Sequence, residues 1–298
     1  MRYARISDIH ANLSALEADG EPRSELKSVA YDIERAARAI RESDLPNDWR
    51  RYAAEALGTF ALVAVGPGAV MVGAATHAFG HTGVALAFGL VIAFVVAATG
   101  HLGGAHINPA VTVAFWSVRR FPTRDVLPYV VAQCIGAGAA SFALRWILGP
   151  VGELGATVPT ISLARAFAVE CGYSALLAFV IMGVATDERS PAGVAPFAIG
   201  ATVFAGALVT GPLTGGSFNP ARSFGPALAG GGWSAHWLYW VAPIAGMVIA
   251  MHAYEALRGA RPHNLPADVV TGVEGPIDVE QGSSTVRSAG EHRSTHEQ

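Results

Sequence analysis

The sequence predicts an all-α membrane protein in which six transmembrane helices and two re-entrant half-helices form an inverted repeat. Three observations predict it. Charge is scarce and unevenly placed along the chain. Six apolar runs have the length that a bilayer demands. One Asn-Pro-Ala tripeptide stands in each half of the chain, Asn108, Pro109, Ala110 in the first and Asn219, Pro220, Ala221 in the second.

The 298 residues are 52% hydrophobic and only 14% charged, against about 25% charged residues in ordinary soluble domains. The deficit falls on residues 53–254, while both ends are ordinary polar sequence. We therefore expect a cytoplasmic extension over residues 1–50, a membrane channel domain over 51–258 and a disordered cytoplasmic tail over 259–298. The net charge of −3, without a basic tract, gives no indication of a nucleic-acid partner. Cys134 and Cys171 lie in apolar runs and read as small core residues. No cleavable signal peptide is expected, because charges run through the first fifty residues.

A transmembrane helix needs about 20 apolar residues. The runs that qualify are 52–75, 83–100, 126–148, 161–186, 194–211 and 235–257. Arg50 and Arg51 precede the first run, Arg119, Arg120 and Arg124 follow the second, Arg189 follows the fourth, and Arg258 and Arg261 follow the sixth. The alternate connections hold His77, His81, Glu153 and Arg222 without a basic cluster. The excess of positive charge on one side places both termini in the cytoplasm.

Residues 100–115 and 210–228 are too apolar to be ordinary loops and too short to cross a bilayer. Each has Gly-rich backbone, then Asn-Pro-Ala, then a short helical pattern. Pro suits the first turn of a helix and Asn the cap before it, so Asn108 and Asn219 each cap a short helix. An acid also recurs: Glu55 stands 53 positions before Asn108, and Glu170 stands 49 before Asn219. Three spans separate the matching elements, so the halves insert with opposite topology. Inverted repeats with discontinuous helices at the midplane are a transport architecture.

On these residues the chain resembles the aquaporin (major intrinsic protein) family over about residues 50–258. Paired Asn-Pro-Ala motifs in opposed halves, with Arg222 directly after the second, form a specific pattern. The resemblance implies six tilted helices, two half-helices meeting at the membrane centre, and a homotetramer with one pore per protomer. It implies a passive channel in a cell membrane for water and small neutral solutes, without chemistry, cofactor or metal. The residue chemistry agrees. Helix N-termini present unsatisfied N–H groups and a positive dipole end, and each Asn amide offers a donor to a passing water. Such a field excludes cations and protons from aquaporin-type pores in general. The backbone of 103–106 and 215–218 can line a pore with carbonyls.

Arg222 reads as the only basic residue within the apolar core of the second half, and an intramembrane charge is a functional hypothesis by default. By resemblance, Phe88, Ala207, Gly216 and Arg222 form the selectivity filter. Strict water channels commonly have His where Ala207 stands, so this filter is expected to be wider and less polar. Ser223, Ala227 and the Tyr239, Trp240 pair match the water-channel branch. The combination predicts a water channel with a relaxed filter, open to glycerol, urea, ammonia or a metalloid acid. Glu55 and Glu170 are expected to brace the re-entrant loops by hydrogen bonding to their backbone, and His101 and His106 to brace the first of those loops.

Two other function classes make different demands. A secondary transporter using discontinuous helices predicts paired ionisable residues at the midplane, where this chain offers an Asn pair. An enzyme would have to reside at the N-terminus. The first eighteen residues resemble the opening strand of metallophosphoesterases, with Asp8 and His10 as metal ligands. Residues 11–50 supply no further His, so a truncated fragment is expected. Residues 24–42 follow with helical spacing of Leu26, Val29, Ile33, Ala36, Ala37 and Ile40.

Overall fold

The computed structural model describes residues 47–187 and 189–259. Asp8, His10, the 24–42 pattern and the tail from residue 260 lie outside the described residues. The chain divides into two compact units, Met1–Arg50 and Arg51–Gln298, and both Asn-Pro-Ala motifs belong to the second.

The described chain is helical. Its elements are α1 (Asn47–Thr76), α2 (His81–Gly103), α3 (Pro109–Ser117), α4 (Thr123–Leu148), a short 3-10 turn (Gly152–Gly155), α5 (Leu163–Ala185), α6 (Ala195–Thr214), α7 (Pro220–Gly230) and α8 (Leu238–Arg258). All but α3, α7 and the 3-10 turn are long and apolar enough to cross a membrane. Their outward faces carry exposed Leu57, Phe94, Leu127, Ile135, Phe197 and Ile249, apolar where a water-facing surface would be polar. Trp116, Trp146, Trp233 and Trp237 stand exposed near helix ends, the place where amphipathic rings meet lipid headgroups.

Several helices run past the apolar runs that announced them, while α5 (Leu163–Ala185) falls just inside the expected 161–186 and α8 starts three residues after the expected 235. α1 begins five residues before the expected 52, and α6 continues past Gly211 and Pro212 to Thr214. Hydropathy marks where lipid begins, whereas backbone hydrogen bonding carries a helix on into polar sequence. Arg222 is also not alone. Arg165 stands, exposed, in the first turn of α5. In the first half, Arg145 closes α4 by donating to the Ala229 carbonyl.

The halves interlock. α2 packs on α6 and α8 on α5, while α3 lies against α8 and α7 against α4, so each half-helix rests on the last helix of the opposite half. Small residues make this possible. A side chain at Gly136 on α4 would meet the Ala56 carbonyl of α1, and one at Gly246 on α8 would meet the Cys171 carbonyl of α5. These carbonyls belong to the residues directly after Glu55 and Glu170.

Candidate functional site

The two re-entrant segments have matching backbones. Left-handed residues recur at equal distances before each Asn: Gly104 (φ 90°) with Gly215 (85°), Ala105 (47°) with Gly216 (58°), and Ile107 (43°) with Phe218 (53°). Left-handed backbone at a β-branched or bulky residue is strained by about 1–3 kcal/mol and persists only where surroundings hold it. Here the holding groups are visible. Glu55 accepts from His106 N at 2.7 Å and Ile107 N at 2.6 Å. Glu170 accepts from Ser217 N at 3.0 Å and Phe218 N at 2.9 Å. Gln133 Nε2 donates to Glu55 at 2.7 Å and Thr214 Oγ1 to Glu170 at 2.6 Å.

The carbonyls of the same two residues are held from across the repeat. Asn108 Nδ2 donates to Phe218 O and Asn219 Nδ2 to Ile107 O, each at 2.8 Å. The Asn oxygens are occupied as N-caps. Asn108 Oδ1 accepts from Ala110 N at 2.9 Å; Asn219 Oδ1 accepts from Ala221 N at 3.0 Å and Arg222 N at 3.2 Å. This fixes both amides with oxygen toward their own helix and nitrogen away from it. A carboxamide has two N–H groups, so one on each Asn remains beyond the cross-repeat bond. Pro109 and Pro220 occupy the first helical position, where a missing N–H costs nothing.

Two cavities lie along this part of the fold, and one of them reaches the Asn pair. The inner one, about 190 Å³, runs from Ala185 and Thr186 past Ile181, Leu177 and Val203 to both Asn residues. Its walls are mostly apolar, with Asn108, Asn219, Ser217, Thr186, His106 and Arg222 as the polar lining residues. At its inner mouth Arg258 donates to Thr186 Oγ1 at 2.8 Å. Nearby Asp187 accepts from Arg189 at 2.7 Å and Tyr254 at 3.0 Å and pairs with Arg258 at 3.4 Å. The Arg189 hydrogen bonds hold the Asp187 carboxyl well below the usual carboxylate range. The outer cavity, about 610 Å³, is bordered by Phe79, His81, Val84, Glu153 and Ala156.

Four residues line both cavities: Phe88 from α2, Ala207 from α6, Gly216 from the second re-entrant loop and Arg222 from the first turn of α7. They stand where the two spaces join. Arg222 is buried, donates through Nη1 to Gly155 O at 2.7 Å, and reaches Gly215 O at 3.5 Å. Its guanidinium carbon lies 4.9 Å from the centre of the Phe88 ring. Nε is buried without a protein partner among the described residues. Glu55 and Glu170 line neither cavity; they face donors from the loops and from α4 and α6 instead.

His106 packs its ring among Phe115, Phe121 and Tyr129 and approaches Thr112 Oγ1 at 3.1 Å. His101 lies apart, exposed in the last turn of α2. A hydroxyl chain unseen in sequence joins Thr157 to Ser223 at 2.8 Å and Ser223 to Ser217 at 2.6 Å, tying the α4–α5 connection to the second re-entrant loop.

Residues 42–254 match the family described as Major intrinsic protein. Aquaporin NIP6-1 of Arabidopsis thaliana is 40% identical over 211 residues, 70% of this chain and 69% of the relative. The probable aquaporin AqpM of Archaeoglobus fulgidus is 43% identical over 239 residues, 70% of this chain and 96% of the relative. Among solved structures, the aquaglyceroporin from Plasmodium falciparum matches with a TM-score of 0.65 at 25% identity, over 76% of this chain and all of that one.

Proposed function

The chain belongs to the major intrinsic protein family and is a multi-pass membrane channel for water and small neutral solutes, and we propose that Phe88, Ala207, Gly216 and Arg222 form its selectivity filter. The observation that carries this reading is that, among the described residues, these four alone border both the inner and the outer cavity. A solute crossing from one space to the other must pass them. Ala207 and Gly216 leave one side of the passage small and unhindered, while Arg222 supplies donors and a positive charge and Phe88 an apolar wall. A neutral solute with acceptor oxygens can exchange hydration for Arg222 N–H groups and for backbone carbonyls. A cation meets like charge and then the N-termini of α3 and α7. The spare Asn108 and Asn219 amide N–H groups would turn a water's hydrogens outward at the midpoint, which interrupts a proton wire.

The family is a channel family, not an enzymatic one. The same proposal takes both termini as cytoplasmic, the site as a plasma or inner membrane and the assembly as a homotetramer. It also takes residues 1–50 and 259–298 as extensions of a channel domain over 51–258. The basic residues of the chain support the orientation.

Ala207→His tests the filter assignment. An imidazole filling the small side of the passage should cut glycerol permeability about tenfold or more while water still crosses. Undiminished glycerol flux in liposomes carrying the variant would remove Ala207 from the filter.

A further inference from the structure

α6 carries Pro212 in its last turn. Proline has no N–H, so the carbonyl four residues back, that of Leu208, loses its helical donor, and the ring pushes it aside. Such a freed group takes another partner, from water or from protein. It has one from the other half of the chain. His81, the first residue of α2, lies with Nε2 at 2.7 Å from Leu208 O, 127 positions away. The carbonyl can only accept, so Nε2 carries the proton and donates. Gly211 permits the approach: a Cβ there would lie 2.5 Å from the imidazole Cε1 and 3.4 Å from both ring nitrogens.

The two helices joined this way carry two walls of the constriction. His81 and Phe88 stand two turns apart on the same face of α2. Leu208 directly follows Ala207 on α6. His81, Phe88, Ala207 and Gly211 all border the outer cavity.

We infer that His81 is a specificity-setting positioning residue: its imidazole N–H replaces the hydrogen bond that Pro212 removes, and the joint fixes how far Phe88 stands from Ala207. The inference rests on the proposed filter. His81 acts through α6 and needs no contact with the solute at the constriction.

The readout is the ratio of glycerol to water permeability in proteoliposomes after subtraction of protein-free liposomes, which a general loss of folded protein does not move. His81→Leu keeps bulk and removes the donor. His81→Gln returns an amide N–H. Pro212→Ala returns the backbone N–H to Leu208 and should make His81 dispensable. His81→Leu is expected to shift the ratio by about 2- to 10-fold, the range that one hydrogen bond commands. His81→Gln should stay within about twofold of the parent. The double variant should likewise stay within about twofold of Pro212→Ala alone. If His81→Leu yields no folded protein, recovery by Pro212→Ala supports the joint and failure to recover overturns it. An unchanged ratio in His81→Leu, or an equal shift with and without Pro212, also overturns it. A parent with no water flux above protein-free liposomes overturns the channel reading, and this inference falls with it.

Discussion

Glu170→Leu is expected to destabilise the channel by about 2–6 kcal/mol, because it strands two buried backbone donors at about 1–3 kcal/mol each. Those donors are Ser217 N and Phe218 N; Thr214 Oγ1 loses its bond to Glu170 but keeps the Thr210 carbonyl. Leucine fills the space and accepts nothing. It also releases Phe218, whose left-handed backbone is held through the N–H that Glu170 accepts. Glu55→Leu should cost a similar amount, since His106 N and Ile107 N are the equivalent backbone pair and Gln133 Nε2 keeps its bond to Thr112 Oγ1. Glu170→Gln keeps one acceptor oxygen, turns a donor toward donors, and should fall between the parent and Glu170→Leu. The check is the thermal unfolding midpoint in detergent, followed by size-exclusion profile. A Glu170→Leu protein that melts with the parent would show that the carboxylate does not hold the loop.

Arg222→Val should turn a neutral-solute pore into one that leaks cations. A unit charge about 4 Å from a permeating cation contributes on the order of 4 kcal/mol at an effective dielectric constant of about 20. The dipole ends of α3 and α7 remain in the variant and keep part of the barrier, so the expected gain in cation or proton permeability is about 10- to 100-fold. The fold should survive. The freed carbonyl of Gly155, which Arg222 binds in the parent, faces a wet cavity and can take a water. A pH-sensitive dye in liposomes under an imposed potential reads the leak. Leakage equal to the parent's would mean that Arg222 is no part of the ion barrier.

Much of this architecture was legible because membrane burial writes coarse, strong signals. Apolar length announced the six helices, and Asn followed by Pro announced the starts of α3 and α7, since few residues cap a helix and tolerate a following Pro as Asn does. The matched acids Glu55 and Glu170 stood out because charge in such runs is rare. What the sequence hid is equally physical. Ile107 and Phe218 hold left-handed backbone, yet their side chains argue against that conformation, and only the clamps from Glu55, Glu170 and the opposite Asn permit it. Gln133, Thr214 and the Thr157, Ser223, Ser217 chain join distant segments, and no local pattern marks such contacts. The apolar run ending at 211 gave α6 too early a stop. The helix continues to Thr214 while His81, more than a hundred residues upstream, takes up the carbonyl that Pro212 leaves free. Arg165 escaped notice because a run that is apolar overall hides one exposed cation in its first turn.

The proposed filter at Phe88, Ala207, Gly216 and Arg222 is relaxed and passes water and small neutral solutes. Stopped-flow light scattering on proteoliposomes tests it most directly, with an osmotic step in sucrose and then in glycerol. Fast shrinkage is expected in both, followed in glycerol by re-swelling well above that of protein-free liposomes. Fast shrinkage with no glycerol re-swelling would contradict it and mark a narrow filter that the small residues at 207 and 216 do not widen.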